Sequence, residues 1–191
     1  MTILHIDSAI TGEQSASREL TAAIVAELVA AEKDARVTYR DLAAQPLEHL
    51  TLPAFGAADS QAALVEFKEA DTIVIGSPMY NFAIPSQLKA WIDRILVAGQ
   101  TFRYTETGAV EGLAVGKRVI VAVARGGLYG EGTPQRSIEH AERYLTDVFA
   151  FIGVTDVEFV IAEGLKISDE ARAAAIASAH QQVLRLVPLA A

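Results

Sequence analysis

No cysteine occurs among the 191 residues, which removes disulfides, thiolate metal ligands and cysteine nucleophiles from consideration. Although 51% of the residues are hydrophobic, no apolar run reaches the roughly 18 residues that a membrane-crossing helix needs. No basic stretch followed by an apolar run opens the chain. Met1–Asp7 reads instead as a strand, so neither a signal peptide nor a membrane partner is expected, and a cytoplasmic location is. Basic residues are in the minority: 16 Lys and Arg against 24 Asp and Glu leave a net charge of −8. Nucleic acid needs a basic face and is excluded as a partner; the acidic balance serves solubility. The histidines, His5, His49, His140 and His180, lack metal-ligand spacing, so no metal site is expected. His5 lies in a strand as a structural residue and the others read as surface. Ser77 precedes proline and lacks the flanking glycines of a hydrolase elbow. With no linker, repeat or low-complexity stretch, 1–191 reads as a single domain.

What is present is alternation. Apolar β-like runs at Thr2–Ile6, Arg36–Tyr39, Thr72–Ile75, Val119–Ala124 and Val157–Ala162 are separated by helical patterns. Charges interrupt Arg36–Tyr39, which marks it as an edge strand. Helices are expected over Ser17–Glu32, Ser60–Ala70, Pro85–Ala98, Pro134–Ile152 and Ser168–Val187. Pro85 sits where a helix start tolerates it, Gly153 follows a helix end, and Ser168 caps a first turn containing Asp169 and Glu170. Strands alternating with helices imply a parallel sheet covered on both faces, an α/β protein. Two stretches, Leu42–Asp59 and Gln100–Gly116, are longer than ordinary connections. Trp91 reads as core or dimer contact, and Lys89 with Asp93 as a surface pair.

In an open parallel sheet, ligands bind outside the carboxyl ends of the strands, which selects three loops. Ser8–Ser17 runs straight into a helix. Its hydroxyls and free N–H groups suit a phosphate monoester held by neutral donors, because it lacks both the lysine of a triphosphate cradle and a G-x-G-x-x-G run. Plain helix capping by Ser15 or Ser17 explains the same residues. Ser77–Pro85 contains Met79, Tyr80, Asn81 and Phe82 where loops are normally polar. These groups suit one face of a flat aromatic ligand, or equally a hydrophobic satellite under the next helix. In Arg125–Thr133, paired glycines Gly126 and Gly127 permit close backbone approach to a ligand and N–H stabilisation of negative charge, or form an ordinary turn.

With these residues in hand, the chain resembles the FMN-dependent NADH-azoreductase family within the flavodoxin-like quinone reductases. The resemblance runs through Ser8 with Ser15-Ala16-Ser17, Pro78-Met79-Tyr80-Asn81-Phe82, and Gln87-Leu88-Lys89-Ala90-Trp91-Ile92-Asp93. It continues through Thr101-Phe102-Arg103-Tyr104-Thr105, Arg125-Gly126-Gly127, Phe151-Ile152-Gly153-Val154-Thr155-Asp156 and Ala162-Glu163-Gly164. These pieces cover nearly the whole chain in family order. The Met-Tyr-Asn-Phe and Arg-Gly-Gly runs are specific when taken together.

The resemblance implies a flavodoxin-like, doubly wound five-stranded parallel sheet of order 2-1-3-4-5. It implies bound FMN, with NADH or NADPH as co-substrate. Ser8, Ser15, Ala16 and Ser17 would hold the phosphate; Pro78, Met79, Tyr80, Asn81 and Phe82 the ring and ribityl chain. Ala124, Arg125, Gly126 and Gly127 would flank the pyrimidine end. Tyr104, Phe151 and Tyr129 would line a substrate pocket at the interface of a homodimer. Ala124 stands where the family usually has serine, which removes one hydroxyl contact, and Pro46–Ser60 is short for the family. The implied chemistry is ping-pong: NAD(P)H reduces FMN, and a quinone or aromatic azo compound takes the two electrons. No side chain is implied as an obligatory acid or base. A one-electron flavodoxin-type carrier is the alternative; the long Gln100–Gly116 segment favours the enzyme. A phosphodiester hydrolase finds no metal cluster or nucleophile–base pair. Arg103 and Arg125 are both candidate readers of a nicotinamide 2′-phosphate.

Overall fold

A computed structural model of the chain describes residues 1–186. In chain order the elements are β1 (Thr2–Asp7), α1 (Ala16–Ala31), β2 (Arg36–Asp41), α2 (Ala58–Glu69), β3 (Thr72–Pro78), α3 (Ser86–Ile95), β4 (Phe102–Tyr104), β5 (Val110–Gly112), β6 (Arg118–Ala124), α4 (Ala141–Phe151), β7 (Asp156–Ala162) and α5 (Asp169–Leu186). Five strands pair in the order β2-β1-β3-β6-β7, and every pairing is parallel. Counted without the β4–β5 hairpin, this is the expected 2-1-3-4-5 order, with β2 at the edge.

The period-two alternation of a buried parallel strand sorts side chains to two cores. Ile73 and Ile75 of β3 join Trp91, Phe67 and Phe149 under α2, α3 and α4. Val74, between them, joins Leu20, Ile24 and Val183 under α1 and α5. Trp91 is fully buried and meets Phe67 edge-on, with ring centroids 6.1 Å apart; it is a core residue. Gly76 leaves room for the Asp7 side chain of the neighbouring β1: a Cβ there would lie 2.7 Å from Asp7 Oδ1.

Two expectations need correction. The helix expected over Pro134–Ile152 is broken. Pro134–Ile138 forms a short 3₁₀ turn, and α4 begins only at Ala141. The break arises because the Glu139 carboxylate accepts the N–H groups of Ala141 and Glu142, acting as a cap, while the His140 N–H donates to the Phe82 carbonyl. Backbone donors used in this way cannot continue a helix. The segment Gln100–Gly116 contains the antiparallel hairpin β4–β5. Thr101 stops α3 early: its hydroxyl donates to the Ile95 carbonyl and accepts the Val97 N–H. Gly112 then presses on the turn after α4, where a Cβ would lie 2.2 Å from the Gly153 nitrogen. Of the expected last helix, Val187 lies outside the described residues. Among the described residues, no helix is long and apolar enough to cross a membrane.

Candidate active site at the switch point of the sheet

Strands β1 and β3 are neighbours, yet α1 and α3, which follow them, pack into opposite cores. That divergence opens a crevice at the carboxyl ends of the strands. A cavity of about 310 Å³ lies there, lined by Thr11, Gln14, Ser15 and Ala16 from the first loop, Pro78, Met79 and Tyr80 from the second, and Ala124, Arg125 and Gly126 from the third. All three loops chosen from sequence therefore meet. Tyr80 ties two of them together, its hydroxyl accepting the Ile10 N–H at 3.2 Å.

Each loop reaches the cleft by a different device. Ser15 caps α1, its hydroxyl accepting the Arg18 N–H and lying 3.0 Å from that of Ser17. As the first residues of the helix, Ala16 and Ser17 have N–H groups with no intrahelical acceptor, which makes a ready anion site. Ser8 is fully buried, and its hydroxyl donates to the Gly76 carbonyl; it braces β1 against β3. In the second loop, Tyr80 and Ala83 exchange both backbone hydrogen bonds, with Asn81 at φ 49° and Phe82 at φ 72° between them. Positive φ at both central residues defines the tight primed hairpin turn. Asparagine tolerates it; phenylalanine there is a strained outlier of the kind that clusters at functional sites. In the third loop, the carbonyls of Arg125, Gly126 and Gly127 accept the N–H groups of Leu165, Lys166 and Gly164. Among the described residues, the N–H groups of Gly126 and Gly127 have no protein acceptor, which leaves two donors for a ligand.

Two charge clusters flank the cleft. The Arg125 guanidinium is fully buried and faces three carboxylates, Glu139 and Glu163 at 3.4 Å each and Glu142 in closer contact. Glu163 also accepts the Tyr129 N–H. On the β2 side, Arg18 makes a two-pronged pair with Asp41 and donates twice to the Ala9 carbonyl. Arg18 holds the Asp41 carboxyl below the usual carboxylate range, against the opposing effect of burial. Burial pushes Asp7 upward, but His5, Thr21 and Tyr39 outweigh it and hold its carboxyl below the usual range. Burial and the nearby Asp7 push the Tyr39 phenol up to about 12.

A family model described as a flavodoxin-like fold matches residues 1–187. The chain belongs to this flavodoxin-like family. It is 53% identical over 199 aligned positions to the FMN-dependent NADH:quinone oxidoreductase of Xanthomonas campestris pv. campestris, covering 96% of this chain and 98% of that protein. Among solved structures, the azoreductase AzrA superposes with a TM-score of 0.88 at 29% identity over 98% of this chain and 99% of that one. An FMN-dependent NADH-azoreductase from Bacillus anthracis in complex with FMN gives a TM-score of 0.84 at 26% identity, over 98% and 100%.

Within this flavodoxin-like framework the expected pocket residues fall into two groups. Tyr129 stacks edge-on to Phe82, with centroids 6.3 Å apart. Tyr104 and Phe151 instead gather around Phe102, at 5.7 and 4.8 Å, on the hairpin side. The guanidiniums of Arg103 and Arg125 both already face carboxylates, Arg103 with Glu111 across the hairpin. Sequence reasoning missed Leu165, Lys166 and Arg172, which complete the wall of the cleft. The signal that could have found them is position: they follow the carboxyl end of β7, beside the third loop. Among the described residues, no group of three or more His, Asp or Glu could hold a metal ion.

Proposed function

We propose that the protein is an FMN-dependent NADH:quinone oxidoreductase, taking NADH or NADPH as donor and quinones or aromatic azo compounds as acceptors. The observation that carries this reading is the cleft itself: the start of α1 with its unengaged N–H groups, Met79 and Tyr80 leading into the strained turn, and Gly126 with its unengaged N–H all line one cavity. The flavin fits this donor set. Ser15, Ala16 and Ser17 would hold its phosphate; Pro78, Met79, Tyr80, Asn81 and Phe82 its ring and ribityl chain. Ala124, Gly126 and Gly127 would meet the pyrimidine edge through backbone groups, so the missing hydroxyl at Ala124 takes no backbone donor away. Ser8 and Arg125 serve the site by bracing it. When bound, FMN would supply two-electron transfer between the nicotinamide and the acceptor. The chain's own residues bind, orient and place N–H donors; none is assigned as acid or base, and solvent supplies protons.

The exposed aromatics Phe82, Tyr104 and Phe151 support a homodimer in which a second copy completes the substrate pocket formed with Tyr129. We infer that 1–191 works as one domain, and in the cytoplasm, where its nicotinamide donor is made. Anaerobic stopped-flow of the FMN-loaded protein tests the reading. Rapid bleaching of the oxidised flavin band by NADH or NADPH, reversed by a quinone, is the expected result. Tight FMN binding without bleaching by either donor would show a carrier instead, and no FMN binding would remove the proposal.

A further inference from the structure

At the phosphate end of the cleft, charge and geometry do not match within the first loop. A phosphate monoester carries nearly two negative charges at neutral pH, yet the loop 8–17 contains no cation, and Glu13 in it is exposed. Arg18, the nearest basic residue in sequence, is committed elsewhere, to Asp41, Tyr39 and the Ala9 carbonyl. Two basic side chains reach this end of the cleft from the other end of the chain. Lys166, in the turn before α5, passes Gly126 with its stem, a Cβ there lying 3.1 Å from Lys166 Cγ, and lines the cleft wall with Gln14 and Arg172. Arg172, on the first turns of α5, reaches back to donate to the Gln14 carbonyl at 3.4 Å. Both side chains line the same cavity as Thr11, Ser15 and Ala16. Among the described residues, neither is in an ion pair. A second cavity of about 490 Å³ continues past them, lined by Gln14, Leu165, Lys166, Ser168, Asp169 and Arg172, so solvent reaches the pair from the far side.

We propose that Lys166 and Arg172 form a cationic clamp that recognises the flavin's phosphate, supplying the charge that the neutral loop omits. This assignment rests on the flavin reading above and gives the site a preference for FMN over riboflavin. Because the clamp is open to solvent, its contribution is screened by salt.

The test is a fluorescence titration of the flavin-stripped full chain with FMN and, separately, with riboflavin, at low and high salt. Lys166→Ala and Arg172→Ala are each expected to weaken FMN binding about threefold to tenfold, and the pair by more than tenfold, the range for charge-assisted bonds at a partly exposed site. Riboflavin affinity stays within twofold, and the salt dependence of FMN binding flattens in the double variant. Lys166→Arg and Arg172→Lys keep most of the FMN affinity, which separates a charge effect from a folding defect. FMN affinity unchanged in the double variant would overturn the clamp while leaving the flavin reading intact. An equal loss for riboflavin would also overturn it, showing a packing role. A wild-type chain that binds neither flavin would overturn both.

Discussion

Two arginines anchor the loops of the cleft, and they do so in opposite surroundings. Arg18 sits at the β2 side with 16% of its side chain exposed, paired two-pronged with Asp41 and 3.6 Å from Asp7. Arg125 is wholly buried among Glu139, Glu142 and Glu163. The first holds a loop directly, through the Ala9 carbonyl. The second holds its surroundings through other residues: Glu163 fixes the Tyr129 backbone, and Glu139 caps α4, whose neighbour His140 grips the Phe82 carbonyl. A buried ion is costly to desolvate and dearer still to strand, whereas an accessible pair is screened by water. The two anchors should therefore fail very differently.

Arg125→Met is the sharpest way to break the comparison. Removing the cation strands Glu163 and leaves Glu139 and Glu142 to share the half-exposed Arg136, at 3.6 and 3.3 Å, and unfolding by urea is expected to show a loss of about 3–5 kcal/mol. A loss no larger than that of the Arg18 pair would show that water reaches the acidic cluster. Asp41→Asn, at the accessible anchor, should cost only about 1–2 kcal/mol, the range for a hydrogen bond to a charged group, and should loosen the first loop. Between the anchors, the turn at Asn81 has no arginine and relies on positive φ. Asn81→Ala should cost about 1 kcal/mol in stability, while Asn81→Gly should cost none; equal losses would place the effect in the side chain. Asn81→Ala should also weaken FMN binding by about 1–2 kcal/mol if its amide meets the flavin. The mildest probe is acid. Asp7 and Asp41 bind protons more weakly when folded than when unfolded. Their contribution is complete above the unfolded carboxylate value and declines as pH falls below about 4. Asp41→Asn should flatten part of that decline in a pH series of thermal melts.

Sequence legibility followed the same divide between local and distant causes. The runs Thr72–Ile75 and Val119–Ala124 announce buried strands because branched residues on both faces suit a parallel sheet. The three loops were legible because strand ends are where a doubly wound sheet opens. The direction of the Arg125 side chain was not, because its partners lie 14, 17 and 38 positions away. Nor was the break before Ala141, since helical spacing continues straight through Glu139 and only a tertiary contact diverts its backbone. The hairpin β4–β5 was hidden by brevity: three-residue strands carry too few alternations to read. Lys166 and Arg172 stood at positions any solvated helix start could occupy.

The contact at Gly112 has a consequence for diversification. The hairpin is fastened to the body at its base, where Gly112 meets Gly153 and Phe102 packs on Phe151, and nothing at its far tip is buried, residues 105–109 being half-buried or exposed. Such a part behaves as an exchangeable cassette. Its tip can be rewritten or lengthened while the fastening and the loops around the cleft keep their places, and a side chain at Gly112 would unseat it.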